Sequence, residues 1–201
     1  MADDWDVIRA VLEGHSDRYA ELVAHYQGAA IKLAFSLVGN YEDARELSQN
    51  GFVKAYQHLR DFRGRAKFST WLYRIIVNEC KDFLRRAARQ PKSVSLVPDP
   101  EAEESGLFEV AEPSAGPREQ VANRDLAKRI SEAIQGLSMK QQTAFVLHHV
   151  QGMSLEEVAQ VMGCRGGTVK SHLFRATHHL RDVLEPFVAT QETSRWTQPT
   201  G

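Results

Sequence analysis

Five of the seven prolines in this 201-residue chain, Pro91, Pro98, Pro100, Pro113 and Pro117, fall in one stretch, and none falls in 1–90 or 118–185. A proline inside a helix removes a backbone donor and clashes with the preceding turn. The two proline-free flanks can therefore be helical throughout, and the stretch between them cannot. That stretch also lacks sustained apolar periodicity, as an extended linker does. No segment alternates with period two for long enough to argue for a sheet. The expectation is an all-α chain: two small helical domains at 1–90 and 119–186, a flexible acidic linker at 91–118, and a polar, disordered tail at 187–201.

Apolar spacing fills in the flanks. Tyr19, Leu22, Val23, Tyr26, Ala30, Leu33 and Leu37 recur at helical intervals, with Ser16 as the expected N-cap. Gly39-Asn40 ends that helix. Glu42 and Asp43 then sit in a new first turn, where the helix dipole favours acids, and Ala44, Leu47, Gly51, Ala55 and Leu59 form an inner stripe. A loop over Asp61–Lys67 leads to a third helix at 68–89. The second flank reads as helices at 119–135, 139–150, 154–162 and 165–185.

Net charge is −1, an average that conceals blocks of opposite sign. Residues 1–53 carry four Lys/Arg against nine Asp/Glu, and residues 54–92 carry eleven against three. Residues 98–119 carry one against seven, and residues 120–186 carry eight against six. A polyanion-binding face beside an acidic segment follows from this segregation. The acidic N-terminus is unlike a signal peptide, and no apolar run nears the ~20 residues of a membrane span, so a cytoplasmic protein is expected. Cys80 and Cys164 are far apart and lack metal-ligand spacing, so both are expected to be reduced thiols. His172, His178 and His179 match no usual zinc pattern. Neither a metal nor another cofactor is expected.

The helix at 67–89 has two readable faces. Leu72, Ile75, Ile76, Phe83 and Leu84 line one at core spacing, while Lys67, Trp71, Arg74, Asn78, Lys81 and Arg85 recur on the other. Cations interleaved with an aromatic ring and an amide suit single-stranded nucleic acid, because cations track phosphates and a ring can stack on a base. On spacing alone, an ordinary solvated face with Trp71 half-buried remains equally open.

At 154–181 the pattern is a helix-turn-helix. Ser154 and Glu157 form a capping box, Val158, Ala159 and Met162 face inward, and Gly163 supplies the positive φ of a tight turn. Val169 and Leu173 of the following helix also pack inward. Thr168, Lys170, Ser171, Phe174 and Arg175 are left near its N-terminus, where a recognition helix meets the major groove. Arg or Lys can pair with guanine edges or phosphates there, and an apolar side chain can touch a thymine methyl.

The two halves together resemble a known family. Asp43-Ala44-Arg45-Glu46-Leu47-Ser48-Gln49-Asn50-Gly51-Phe52-Val53-Lys54-Ala55-Tyr56 is similar to the polymerase-binding helix of extracytoplasmic-function sigma factors. Phe62 to Asn78 resembles their promoter-melting and −10-reading segment, and Gly167 to Ala176 their −35-reading helix. The resemblance implies that Asp43, Glu46, Leu47 and Gln49 face the clamp helices of the largest subunit of RNA polymerase core, with the second subunit's flap as a further contact. It assigns −10 DNA to Arg63, Arg65, Lys67, Trp71, Arg74, Asn78 and Lys81, and −35 DNA to Thr168, Lys170, Ser171, Phe174 and Arg175. It further implies an anti-sigma partner and no small-molecule substrate. Arg65 and Lys67 depart from the family, which usually carries acidic or small residues there, and His172 and Thr177 stand where it usually has arginines.

Two other functions compete. A stand-alone helix-turn-helix regulator would need no basic, aromatic helix at 67–89. An enzyme would need a nucleophile elbow, a phosphate loop or paired inward carboxylates, and the sequence contains none of these motifs. No catalytic residue is therefore assigned.

Overall fold

The computed structural model describes residues 4–89 and 127–196, and every regular element among them is helical. The expected linker, 91–118, lies outside the described residues, as does the start of the helix expected at 119–135. The first bundle comprises α1 (Asp4–Leu12), α2 (Tyr19–Val38), α3 (Tyr41–Gln57) and α4 (Phe68–Ala87). The second comprises a helix at 127–135 (α5), α6 (Met139–Phe145), α7 (Leu155–Met162) and α8 (Gly166–Trp196). No described helix is long and apolar enough to cross a membrane.

Helix α1 has no counterpart in the sequence expectation. Its buried stripe is only Val7, Ile8 and Val11, too short to stand out among the acids around it. Ser16 is not the cap of α2. Gly14 turns the chain back, Ser16–Arg18 form a 3-10 turn, and the hydroxyl is left a turn ahead of the helix that begins at Tyr19. The break at Gly39-Asn40 is where the sequence placed it: the Asn40 side chain accepts a 2.9 Å hydrogen bond from the Asp43 backbone N–H and caps α3.

Helices α2, α3 and α4 pack on one another. Helices α3 and α4 come close at Gly51, where an added Cβ would stand 2.6 Å from Ile76 Cγ1, so they can meet there only over a residue without a side chain. Leu72 and Ile76 are fully buried as expected, whereas Ile75, Phe83 and Leu84 are half-buried. Tyr73, Val77, Glu79 and Cys80 are buried instead. The reason is tertiary: α4 lies on α2 and α3 and also meets α7, so more of its circumference is covered than one apolar stripe implies. Both cysteines are free, and burial pushes the Cys80 thiol up to about 12.

The second bundle is assembled by local caps. Ser138 with Gln141, and Ser154 with Glu157, close capping boxes at the starts of α6 and α7. The helix expected at 139–150 is α-helical only to Phe145 and continues as a π turn over Val146–Val150, after which His148 Nδ1 lies 2.7 Å from the Met153 carbonyl. Helix α8 runs past Pro186 to Trp196, into the stretch the sequence reads as a polar tail. Residues 187–196 contain no glycine or proline, and their polar composition hid a sequence a helix can accommodate.

The bundles also touch. Gln142 Nε2 donates to the Ser36 carbonyl, and Gln151 Nε2 donates to the Ala29 carbonyl at 3.2 Å. Lys67 Nζ pairs with Glu157 Oε1 at 2.8 Å. Both glutamine contacts reach backbone oxygens of α2 at the expense of ordering two long side chains, so they specify how the bundles meet more than they add stability.

Candidate nucleic-acid interface

On α3, Asp43, Glu46 and Leu47 line one cleft of about 420 Å³, whereas Gln49 is exposed but outside its lining. Leu47 is buried, so it supports this face and does not present a side chain to a partner. The spacing of α3 alone did not identify the opposite wall, where Glu79, Phe83 and Arg86 of α4 complete the cleft. Lys54 Nζ joins the two helices through Glu79 Oε1 at 2.5 Å. Burial, and then the neighbouring charge of Glu46, raise the Asp43 pKa above the usual carboxylate value. The result is an acid-rimmed polar cleft, suited to a partner that brings hydrogen-bond donors and positive charge.

The loop from Phe62 to Lys67 stands on an aromatic base. Phe62 is buried, and its ring lies 5.2 Å from that of Trp71 and 5.8 Å from that of Phe68. Trp71 is half-buried, so the bland alternative left open by spacing is partly right about its burial. Arg63, Arg65, Trp71 and Arg74 nonetheless line one groove of about 710 Å³. Its far wall is Ala159, Gln160, Gly163 and Cys164, from α7 and the turn after it. Cations above an aromatic floor can hold phosphates while a base stacks.

Three other residues expected at this surface lie outside that lining. Asn78 is exposed one turn further along α4 from Arg74. Lys81 is half-buried, and burial, followed by Lys140 and Arg74, lowers its pKa. Lys67 is drawn aside by Glu157, which raises the lysine pKa and lowers that of the carboxylate. Thr70 Oγ1, at the groove, is buried without a hydrogen-bond partner among the described residues.

The surface expected at the −35 duplex has the exposure pattern that the spacing implies. Val169 and Leu173 are buried, and Thr168, Lys170, Ser171, Phe174 and Arg175 are exposed on α8. Gly163 takes φ +64° at the turn between α7 and α8, as a tight turn requires. Phe174 is 73% exposed, an unusual position for a ring that has no contact role. Ser171 Oγ donates to the Gly167 carbonyl at 3.1 Å. His172 is half-buried, and burial with Lys140 and Arg175 nearby lowers its pKa.

Comparison with known proteins follows the same division. Residues 22–90 match the family described as sigma-70 region 2, and residues 127–180 match sigma-70 region 4. The chain is 31% identical over 188 residues to RNA polymerase sigma-H factor of Pseudomonas aeruginosa, covering 92% of this chain and 95% of that protein. It is 34% identical over 188 residues to the ECF RNA polymerase sigma-E factor of Escherichia coli (strain K12), covering 92% and 96%. Among solved structures, the sigma factor RpoE in complex with the anti-sigma factor NepR from Bartonella quintana is similar, with a TM-score of 0.63 and 26% identity over 83% of this chain and 96% of that one.

Proposed function

Because this chain belongs to the extracytoplasmic-function sigma factors of the sigma-70 family, we propose how its surfaces share the work of a factor that binds RNA polymerase core and directs promoter-specific initiation. The cleft around Asp43 and Glu46 docks on core. The loop 62–67 with α4 captures the −10 strand, and the exposed face of α8 reads the −35 duplex. The polymerase supplies the chemistry, and this chain supplies the address, in the cytoplasm where polymerase works. A similar sigma factor forms a complex with the anti-sigma factor NepR, and for this chain an anti-sigma partner that covers its reading surfaces would regulate it.

The observation that carries this assignment is the pairing, in one chain, of the cations Arg63, Arg65 and Arg74 over an aromatic floor in the first bundle with an exposed helix over a buried Val169–Leu173 seam in the second. A stand-alone regulator would leave the first surface without a role. The −10 and −35 elements lie some 25 base pairs apart, about 85 Å of duplex at ~3.4 Å per step. Engaging both requires the packed bundles to separate. The 37 residues between 89 and 127 can extend to about 120 Å, which spans that distance. Run-off transcription with purified core on selected promoters tests the function. Discrete start sites are expected with the complete chain, and transcription no different from core alone would overturn the assignment.

A further inference from the structure

Helix α1 lies outside the residues matched to region 2, yet it reaches the −10 loop. The Trp5 ring centroid is 5.3 Å from that of Phe62, with the planes tilted by 35°. A Cβ built on Gly64 would fall 1.9 Å from Trp5 Cζ2, so the indole lies directly against the loop backbone. Gly64 has φ +64°, a conformation other residues rarely adopt, and it sits between Arg63 and Arg65. The aromatic contacts continue inward from Phe62 to Phe68 and Trp71, and from Phe68 to Tyr26. Trp5 is therefore the outer end of a connected set of rings that leads into the core. It is still 40% exposed at the rim of the loop.

Helix α1 is held by other means as well. Tyr26 Oη donates to Asp4 Oδ2 at 2.6 Å, and Val7, Ile8 and Val11 are buried. Seating the helix does not demand a large ring at position 5; the contact with Gly64 does. We propose that Trp5 is a positioning residue for −10 strand capture. Its ring presses on Gly64 and Phe62 and sets the separation at which Arg63 and Arg65 receive the backbone of an unstacked strand. This role rests on the sigma-factor function above.

Full-length Trp5→Ala, Trp5→Phe and Asp4→Asn, each assembled with polymerase core, test it by permanganate footprinting. Each variant is compared at the same interval below its own melting temperature. Trp5→Ala should form about three- to tenfold fewer open complexes, the range set by loss of an aromatic contact, while co-elution with core stays unchanged. Trp5→Phe should recover most of that loss, and Asp4→Asn should open promoters as wild type does. Equal losses in Trp5→Ala and Asp4→Asn would overturn the proposal, because any loosening of α1 would then suffice. Gly64→Ala adds a thermodynamic cycle read by thermal unfolding: it should destabilise the wild type more than it destabilises Trp5→Ala. Additive effects would overturn the contact itself. A wild-type protein that opens no promoter would overturn the sigma-factor function, and the unfolding cycle would still decide whether the ring holds the loop.

Discussion

In the second bundle the residues assigned to the −35 duplex stand on a regular helix seated on Val169 and Leu173; in the first, three cations stand on a loop that owes its shape to rings from α1, α2 and α4. A helix projects its side chains by a fixed angle per residue, so its reading face is settled as soon as its buried face is. A loop has no such rule, and its geometry is borrowed from whatever packs beneath it. The difference teaches where each surface is vulnerable. The helix reader should fail residue by residue, and the loop reader should fail through residues that never touch DNA.

The largest expected effect lies at the cleft between α3 and α4. Asp43→Arg with Glu46→Arg should abolish co-elution with polymerase core, because both line the acid-rimmed cleft. Circular dichroism and binding of the −35 duplex by the second bundle should be unchanged. Retained co-elution would show that the cleft does not dock.

Next come two glycine substitutions that separate the bundles by mechanism. Gly51→Ala should destabilise by about 1–3 kcal/mol through overpacking against Ile76. Gly163→Ala should cost about 1–2 kcal/mol through its left-handed backbone alone, since nothing lies within 4 Å of an added Cβ. Urea unfolding should find Gly51→Ala and Ile76→Ala less than additive, because Ile76 Cγ1 is the atom in the way. No neighbour exists to relieve Gly163→Ala. If Gly51→Ala and Ile76→Ala add, the close approach of α3 and α4 is not what Gly51 provides.

Promoter reading should then divide along the same line. Arg175→Ala should weaken −35 binding by about 1–3 kcal/mol and relax preference at one base pair, if it meets a guanine edge. Arg65→Ala with Lys67→Ala should lower open-complex formation on every promoter and flatten its salt dependence, because phosphate contacts position and do not specify. Asn78→Ala should change the ranking of −10 variants with little loss of affinity. Equilibrium binding to −35 duplex variants measures the first and permanganate footprinting across −10 variants the other two, and an unchanged ranking in Asn78→Ala would return base reading to the loop.

The smallest expected effect is a pH dependence. His149 and His172, both in the second bundle, have pKa values lowered chiefly by burial, so the folded state binds their protons less readily than the unfolded state does. Their contribution to stability is complete above the unfolded value of about 6.5 and is lost as pH falls through the lower folded values. Melting temperature followed from pH 7.5 to 5 should therefore decline. His149→Gln with His172→Gln should reduce the decline, and an identical profile would place its origin in other titrating groups.

Most of the fold was legible because its signals are local. The break at Gly39-Asn40 and the Ser154–Glu157 box each act within one turn, and the structure keeps both, whereas the cap expected at Ser16 is displaced by the 3-10 turn before α2. The exposed set on α8 was legible for the same reason. Helix α1 and the outer part of α8 were not: one has too short a stripe, and the other has none that composition reveals.

From the sequence alone came the all-helical class of the described residues, the break at Gly39-Asn40, the charge of each segment and the outward residues of α8. Only the tertiary structure decided that Leu47 is covered, that Glu79 and Arg86 complete the cleft, that Lys67 turns to Glu157 and that Trp5 lies on Gly64. The physical reason is range. Capping and periodicity depend on neighbours three or four residues away, and the sequence lists those directly. The contact of Lys67 with Glu157, or of Trp5 with Gly64, depends on how whole helices pack, and no spacing along the chain encodes it.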